Sequence, residues 1–255
     1  MVAIGYFLAI LMGITLGLIG AGGSILTVPI LVYFFKILPI QATTYSLLVV
    51  GICALSGAIL YYQKKLINFK ALAIFATASA ISAFLTRIFV IPSLPEKIFL
   101  LDKQNFIMTA FASLMLIAAF LMLKPLKIQN KKSNYSVYLL IIISAFIGLI
   151  TGFVGAGGGF LIIPTLILFF QLEMKKAVAT SLAIIAINSL IAFKGDLLLG
   201  VNINWNLLIS LIFTTVFGMI FGIILSKKIS GEKLKKIFAT FIILVSLTIF
   251  GDLIL

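Results

Sequence analysis

Two segments of this chain open on the same glycine-rich break, GLIGAGGSILTVP (Gly17–Pro29) and GFVGAGGGFLIIP (Gly152–Pro164). Each break sits inside an apolar stretch of about 34 residues, roughly 50 Å long as a single helix. The hydrocarbon core of a bilayer is only about 30 Å thick. Neither stretch fits as one straight span. Glycine adopts backbone geometries that end a helix. The chain must therefore turn back at each break or cross as a strongly broken helix.

The two segments align without gaps, with Gly20 falling on Gly155. In the same register Gly13, Gly17, Gly22, Gly23, Pro29 and Ser46 fall on Gly148, Gly152, Gly157, Gly158, Pro164 and Ser181. After one inserted residue, Ile67-Asn68-Phe69 matches Ile203-Asn204-Trp205. Apolar bias yields chance matches of Leu and Phe. It does not yield glycines, a proline and a serine in register, so the chain reads as a duplication.

Composition decides the solvent. The chain is 63% hydrophobic and 10% charged, against roughly 45–50% and about 25% for soluble domains. A soluble core of 255 residues cannot bury that much apolar surface, so lipid is the second solvent. A net charge of +13 would point to nucleic acid in a soluble protein. Here the basic residues occupy short gaps between apolar runs, as the positive-inside bias produces. No nucleic-acid partner is expected. There is no histidine, and Cys53 is the one cysteine. An internal disulfide is excluded, no metal, haem or iron–sulfur site is expected, and no cofactor is implied. The N-terminus has no basic residue ahead of its apolar stretch, unlike a typical cleaved signal peptide.

Charge placement chooses between turning back and crossing. Apolar runs fall at about 2–20, 24–35, 41–62, 69–91, 104–123, 137–155, 159–170, 175–197, 206–226 and 235–254. If each glycine break is a hairpin, 14 of the 19 basic residues share one side. If each is a single crossing, the division is 11 against 8. The positive-inside rule favours the hairpin and makes the richer side cytoplasmic, with both termini outside. Five segments per half then give the halves opposite orientations. The expected fold is an all-α integral membrane protein, an inverted five-plus-five segment repeat, each half opening with a glycine-broken helical hairpin. Its parts are a first membrane repeat over 1–128, a cytoplasmic linker over 129–136 and a second repeat over 137–255. The expected location is the cell membrane, multi-pass, in contact with the lipid bilayer, and a homo-oligomer is compatible with it.

Inverted repeats with broken helices in matching positions mark secondary transporters, with substrate near the midplane. A glycine cluster ahead of a helix leaves unpaired N–H groups on the positive end of the helix dipole, and such an end binds anions. The candidate site is therefore Gly20, Gly22, Gly23 and Ser24 with Gly155, Gly157, Gly158 and Gly159. Ser24 is expected to cap the first short helix, whereas Gly159 stands in its place in the second copy. The glycines also have a purely structural reading, as small residues that let helices pack closely. The dinucleotide fingerprint fails, because Ile25 or Phe160 stands where it needs glycine or alanine. Among polar residues within helices, Thr43, Thr44, Ser46, Thr180, Ser181 and Asn188 are notable. Ser46, its repeat mate Ser181, and Asn188 join the site, since neutral donors suit a small oxyanion. The competing role for such hydroxyls is bonding to their own helix carbonyls.

All six acidic residues lie at or near the ends of predicted helices. No central carboxylate is expected, which argues against a cation pump. Arg87, near the outer end of its helix, could attract anions, but the favoured expectation is that it snorkels to the outer interface. No nucleophile–base pair, metal-ligand set or catalytic carboxylate pair is present, so an enzyme is not expected.

The two glycine breaks each followed by a proline, with the A-x-x-x-S-L segments Ala42–Leu47 and Ala177–Leu182, resemble the sulfite exporter TauE/SafE family over essentially the whole chain. The resemblance implies movement of a small sulfur-containing or organic anion. It points to Gly20–Ser24, Gly155–Gly159, Ser46 and Ser181. The expected function is a secondary carrier or permease for a small anion, sulfite or an organosulfonate. The alternatives are a passive anion channel and a non-transporting scaffold subunit.

Overall fold

A computed structural model describes residues 2–20, 22–98, 101–123, 135–155, 157–226, 239–240 and 243–251. Among the described residues the regular elements are helices, apart from a two-residue antiparallel ladder between β1 (Lys97–Ile98) and β2 (Leu101–Asp102). The first half contains α1 (Val2–Ile19), a 3-10 turn (Gly22–Leu26), α2 (Thr27–Phe35) and α3 (Pro39–Gln63). It continues through α4 (Phe69–Leu85), a π turn (Thr86–Val90) and the short α5 (Ile91–Ser93) to α6 (Lys103–Leu123). The second half contains α7 (Val137–Val154), α8 (Gly159–Leu168), α9 (Met174–Leu198) and α10 (Trp205–Leu225), and residues 243–251 are helical. The expected 129–136 linker falls mostly outside the described residues, as do Ala21 and Ala156 in the two breaks.

Among the described residues, 5 helices are long and apolar enough to cross a membrane: Pro39–Gln63, Phe69–Ser93, Val137–Val154, Met174–Leu198 and Trp205–Leu225. The segments Ala3–Ile19 and Gly23–Phe35 are apolar but shorter. Most of α3 and α9 is buried, while less than half of the other three spans is. Helices α3 and α9 therefore form the centre, packed on each other. Apolar rings on the outer helices, including Phe213 and Phe217 of α10, stay exposed, as a lipid-facing surface requires.

The chain doubles back at both glycine breaks. Gly23 lies against the backbone of Met12 and Leu16, and Thr27 Oγ1 sits 2.9 Å from Met12 Sδ. Phe35, at the far end of α2, makes an edge contact with Tyr6 at 5.2 Å between ring centroids. In the second half, Tyr135 ahead of α7 meets Phe169 just after α8, with ring centroids 5.3 Å apart.

The halves exchange partners across the molecule. Helix α1 packs on α10, and α7 packs on α4. Equivalent residues make equivalent contacts. Gly13 lies on the Thr215 carbonyl and Gly148 on the Ser79 carbonyl, while Gly17 lies on Met219 and Gly152 on Ala83. Asn68 caps α4 by accepting from Ala71 N at 2.9 Å, and Asn204 caps α10 by accepting from Leu207 N at 3.2 Å. Their own amides donate to repeat-equivalent hydroxyls, Asn68 N to Thr180 Oγ1 at 3.0 Å and Asn204 N to Tyr45 Oη at 2.6 Å. The small-residue stripes on α1 and α7 thus serve close helix packing.

Candidate functional site

The second break is a tight left-handed turn. Gly155, Gly157 and Gly158 have φ of +70°, +64° and +64°. Side chains rarely adopt this region, so glycine is required here. Gly158 is the N-cap of α8 and Gly159 its first residue. The first N–H groups of any helix lack intrahelical partners. The first break differs. Among its described residues Gly20 alone has positive φ, +83°, and Gly22, Gly23 and Ser24 lie in the 3-10 turn that precedes α2. Ser24 lies inside the 3-10 turn, and the N-cap position of α2 falls two residues later, at Leu26. The Ser24 carbonyl accepts from Thr27 Oγ1 at 3.1 Å.

Side chains crowd the second break from three helices. A methyl added to Gly155 would run into Arg87 Nη2 and Thr43, and one on Gly157 would come within 2.8 Å of Ser189 Oγ and 3.0 Å of Val50 Cγ1. Thr43, Ser46 and Val50 are spaced three and four apart, so they share one face of α3. Thr43 meets Gly155 and Val50 meets Gly157, which places Ser46 opposite the break between them. Ser181, the mate of Ser46, instead donates to the Gly20 carbonyl at 3.3 Å and to its own helix at Val178 at 2.9 Å. Asn188 accepts from Ser79 Oγ at 3.0 Å, tying α9 to α4.

Arg87 does not snorkel. Its side chain is 1% exposed and pairs with Asp196, Nη1 to Oδ2 at 3.2 Å. Nη1 also donates to Thr43 Oγ1 at 3.0 Å, and Thr44 Oγ1 donates to Asp196 Oδ2 at 2.7 Å. The position of Asp196 near the end of α9 suggested an interfacial carboxylate, but α3, α4 and α9 close over it. A charge pair sealed this way survives because each member compensates the other. The π turn at Thr86–Val90 carries Arg87. Such turns insert an extra residue and re-aim side chains, and they occur often at functional sites. The equivalent stretch of α10 is regular α-helix.

Several donors here have no protein partner. Arg87 Nε and Nη2, Ser46 Oγ, Ser189 Oγ and Asn188 Nδ2 are buried without a hydrogen bond. Each unmet buried group costs about 1–3 kcal/mol. Proteins seldom retain a cluster of them without a use.

Residues 6–249 match the sequence model of the family described as sulfite exporter TauE/SafE. The chain belongs to that family. A probable membrane transporter protein of Xylella fastidiosa (strain Temecula1) is 28% identical over 249 residues, covering 93% of this chain and 90% of the relative. The probable membrane transporter protein YunE of Bacillus subtilis (strain 168) is 27% identical over 234 residues, covering 80% and 81%. No solved structure matches. TauE/SafE is a family of membrane transporters, and this member is a multi-pass membrane protein.

The expected site residues do not form one cluster in this TauE/SafE chain. Gly155 and Gly157 lie against the face of α3 that carries Ser46, Gly20 pairs with Ser181 elsewhere, and Asn188 engages Ser79. Sequence reasoning did not single out Asp196 or Ser189, and it favoured the outer interface for Arg87. A signal for the pair was available in the repeat register. Arg87 stands opposite Ile223 and Asp196 opposite Tyr61, so each charge replaces an uncharged residue of the other half.

Proposed function

We propose that this protein is a secondary carrier for a small anion, sulfite or an organosulfonate, across the cell membrane. One observation carries the reading: buried, unpartnered donors, including two nitrogens of Arg87, gather at a glycine turn that opens a helix. A helix N-terminus and a guanidinium both favour negative charge. The glycines, Ser46, Ser181 and Asn188 make up the candidate path, and the family and its named relatives support transport. The halves are taken to be inverted repeats that alternate access to the site. The exchange of helix partners between halves supports this arrangement.

Counterflow in proteoliposomes tests the proposal. Vesicles loaded with unlabelled sulfite or methanesulfonate should accumulate the labelled anion transiently. Single-channel currents without counterflow would make the protein a channel. Absence of flux for sulfite, sulfate, thiosulfate and small organic acids, from folded protein, would overturn transport of such anions altogether.

A further inference from the structure

We infer that the anion is held at the second glycine break alone, on the free edge of Arg87, and that it is a monovalent oxyanion. The inference rests on the transporter reading and narrows it. Asp196 and Thr43 engage Nη1 of the guanidinium. That leaves Nε and Nη2, both buried and unpartnered, as an intact two-pronged edge. Such an edge matches two oxygens of a sulfonate or carboxylate. Nη2 lies against Gly155, and the unpartnered Ser189 hydroxyl lies against Gly157. Ser46, fully buried and also unpartnered, faces the same turn from α3.

The described residues of the first break differ. Gly20 packs against the Val178 side chain. Ser181 already donates to the Gly20 carbonyl. The residues matching Arg87 and Asp196 are Ile223 and Tyr61. Gly22 and Gly23 are wound into a 3-10 turn. Duplication supplied two breaks, and one became polar.

Charge sets the class of ligand. Among the described residues, Arg87 and Asp196 are the buried ionisable pair at the site, and together they are neutral. A monovalent anion leaves one net negative charge, which the helix end of about +0.5 partly offsets. A dianion leaves two. The cost of burying charge is large, and in a uniform medium it rises with the square of the charge. Hydrogensulfite and sulfonates therefore fit, while sulfate and fully ionised sulfite do not.

The test uses the full chain in proteoliposomes, with methanesulfonate, sulfate and sulfite as probes and thermal melting as the fold control. Wild-type protein should carry methanesulfonate at least tenfold faster than sulfate. Its sulfite flux should fall with rising pH as hydrogensulfite is depleted, while methanesulfonate flux changes little. Arg87→Lys keeps the charge but loses the two-pronged edge, and should cut methanesulfonate flux tenfold or more. The double change Arg87→Gln with Asp196→Asn removes both charges together, so it should stay folded and lose flux. Ile223→Val, at the matching position of the second half, should leave flux unchanged. If Arg87→Lys and the double variant both transport normally, or if sulfate moves as fast as methanesulfonate, the site assignment is wrong while transport stands. If the folded wild type moves none of the three, nor thiosulfate or small organic acids, the transporter reading fails with it.

Discussion

At Asp196 the chain keeps a carboxylate 3% exposed, held by Arg87 and Thr44. A lone buried charge is far more costly than a pair, because nothing offsets its desolvation. Asp196→Asn alone strands the Arg87 cation and should destabilise the protein by about 3–5 kcal/mol. Melting in detergent should show the single variant well below the double variant that removes both charges. Equal melting temperatures would mean that the pair is not mutually dependent. Ser189→Ala is a gentler probe. The hydroxyl has no protein partner to lose, so melting should change little while apparent anion affinity falls several-fold. The pair was hard to read from sequence for a physical reason. Its members are 109 residues apart and sit toward helix ends, where hydropathy alone predicts contact with the interface. Burial of such a charge is decided by which helices close over it, and that is a property of packing.

Individual elements were far more legible, because glycine has few substitutes where backbone geometry or contact distance demands it. The breaks could be placed from sequence since each glycine cluster interrupts an apolar run too long for one span. What could not be read was the difference between them. Both motifs open on a left-handed glycine, but Gly22 and Gly23 then enter a 3-10 turn while Gly157 and Gly158 stay left-handed, and only one residue type separates the two motifs. Two substitutions separate packing glycines from turn glycines. In Gly13→Ala the new methyl would overlap the Thr215 backbone carbonyl. Backbone cannot rotate away, so α1 must shift from α10, at a cost of about 1–3 kcal/mol. Gly200 has φ +73° but nothing within 4 Å of an added methyl. Gly200→Ala should cost only backbone strain, about 1 kcal/mol. The melting temperature should therefore drop further for Gly13→Ala than for Gly200→Ala. The reverse order would deny the α1–α10 stripe its packing role.

For the whole molecule, the duplication predicts more than similarity: it predicts sidedness. The register of the repeat was visible in the sequence, and the contacts Gly13–Thr215 and Gly148–Ser79 obey it. Orientation relative to a bilayer is a separate matter, resting on the distribution of basic residues, with 14 of 19 assigned to one face. Turning back at the second break puts Tyr135 and Glu173 on the same side, whereas a single crossing puts them on opposite sides. Both are exposed, as is Ser93 at the end of α5, one span removed from the α6–α7 connection. In a Cys53→Ala background, single cysteines at Tyr135→Cys, Glu173→Cys and Ser93→Cys can be probed with an impermeant thiol reagent. Cys53 is fully buried, and alanine keeps most of its volume, so the background should fold. In intact cells Ser93→Cys should label, while the other two should label only after the membrane is opened. Labelling of Tyr135→Cys and Glu173→Cys from different sides would break the hairpin, and with it the odd segment count that makes the halves inverted. Reversed labelling of all three would keep the inversion and place the basic face outside, against the bias that lysine-rich loops impose during insertion.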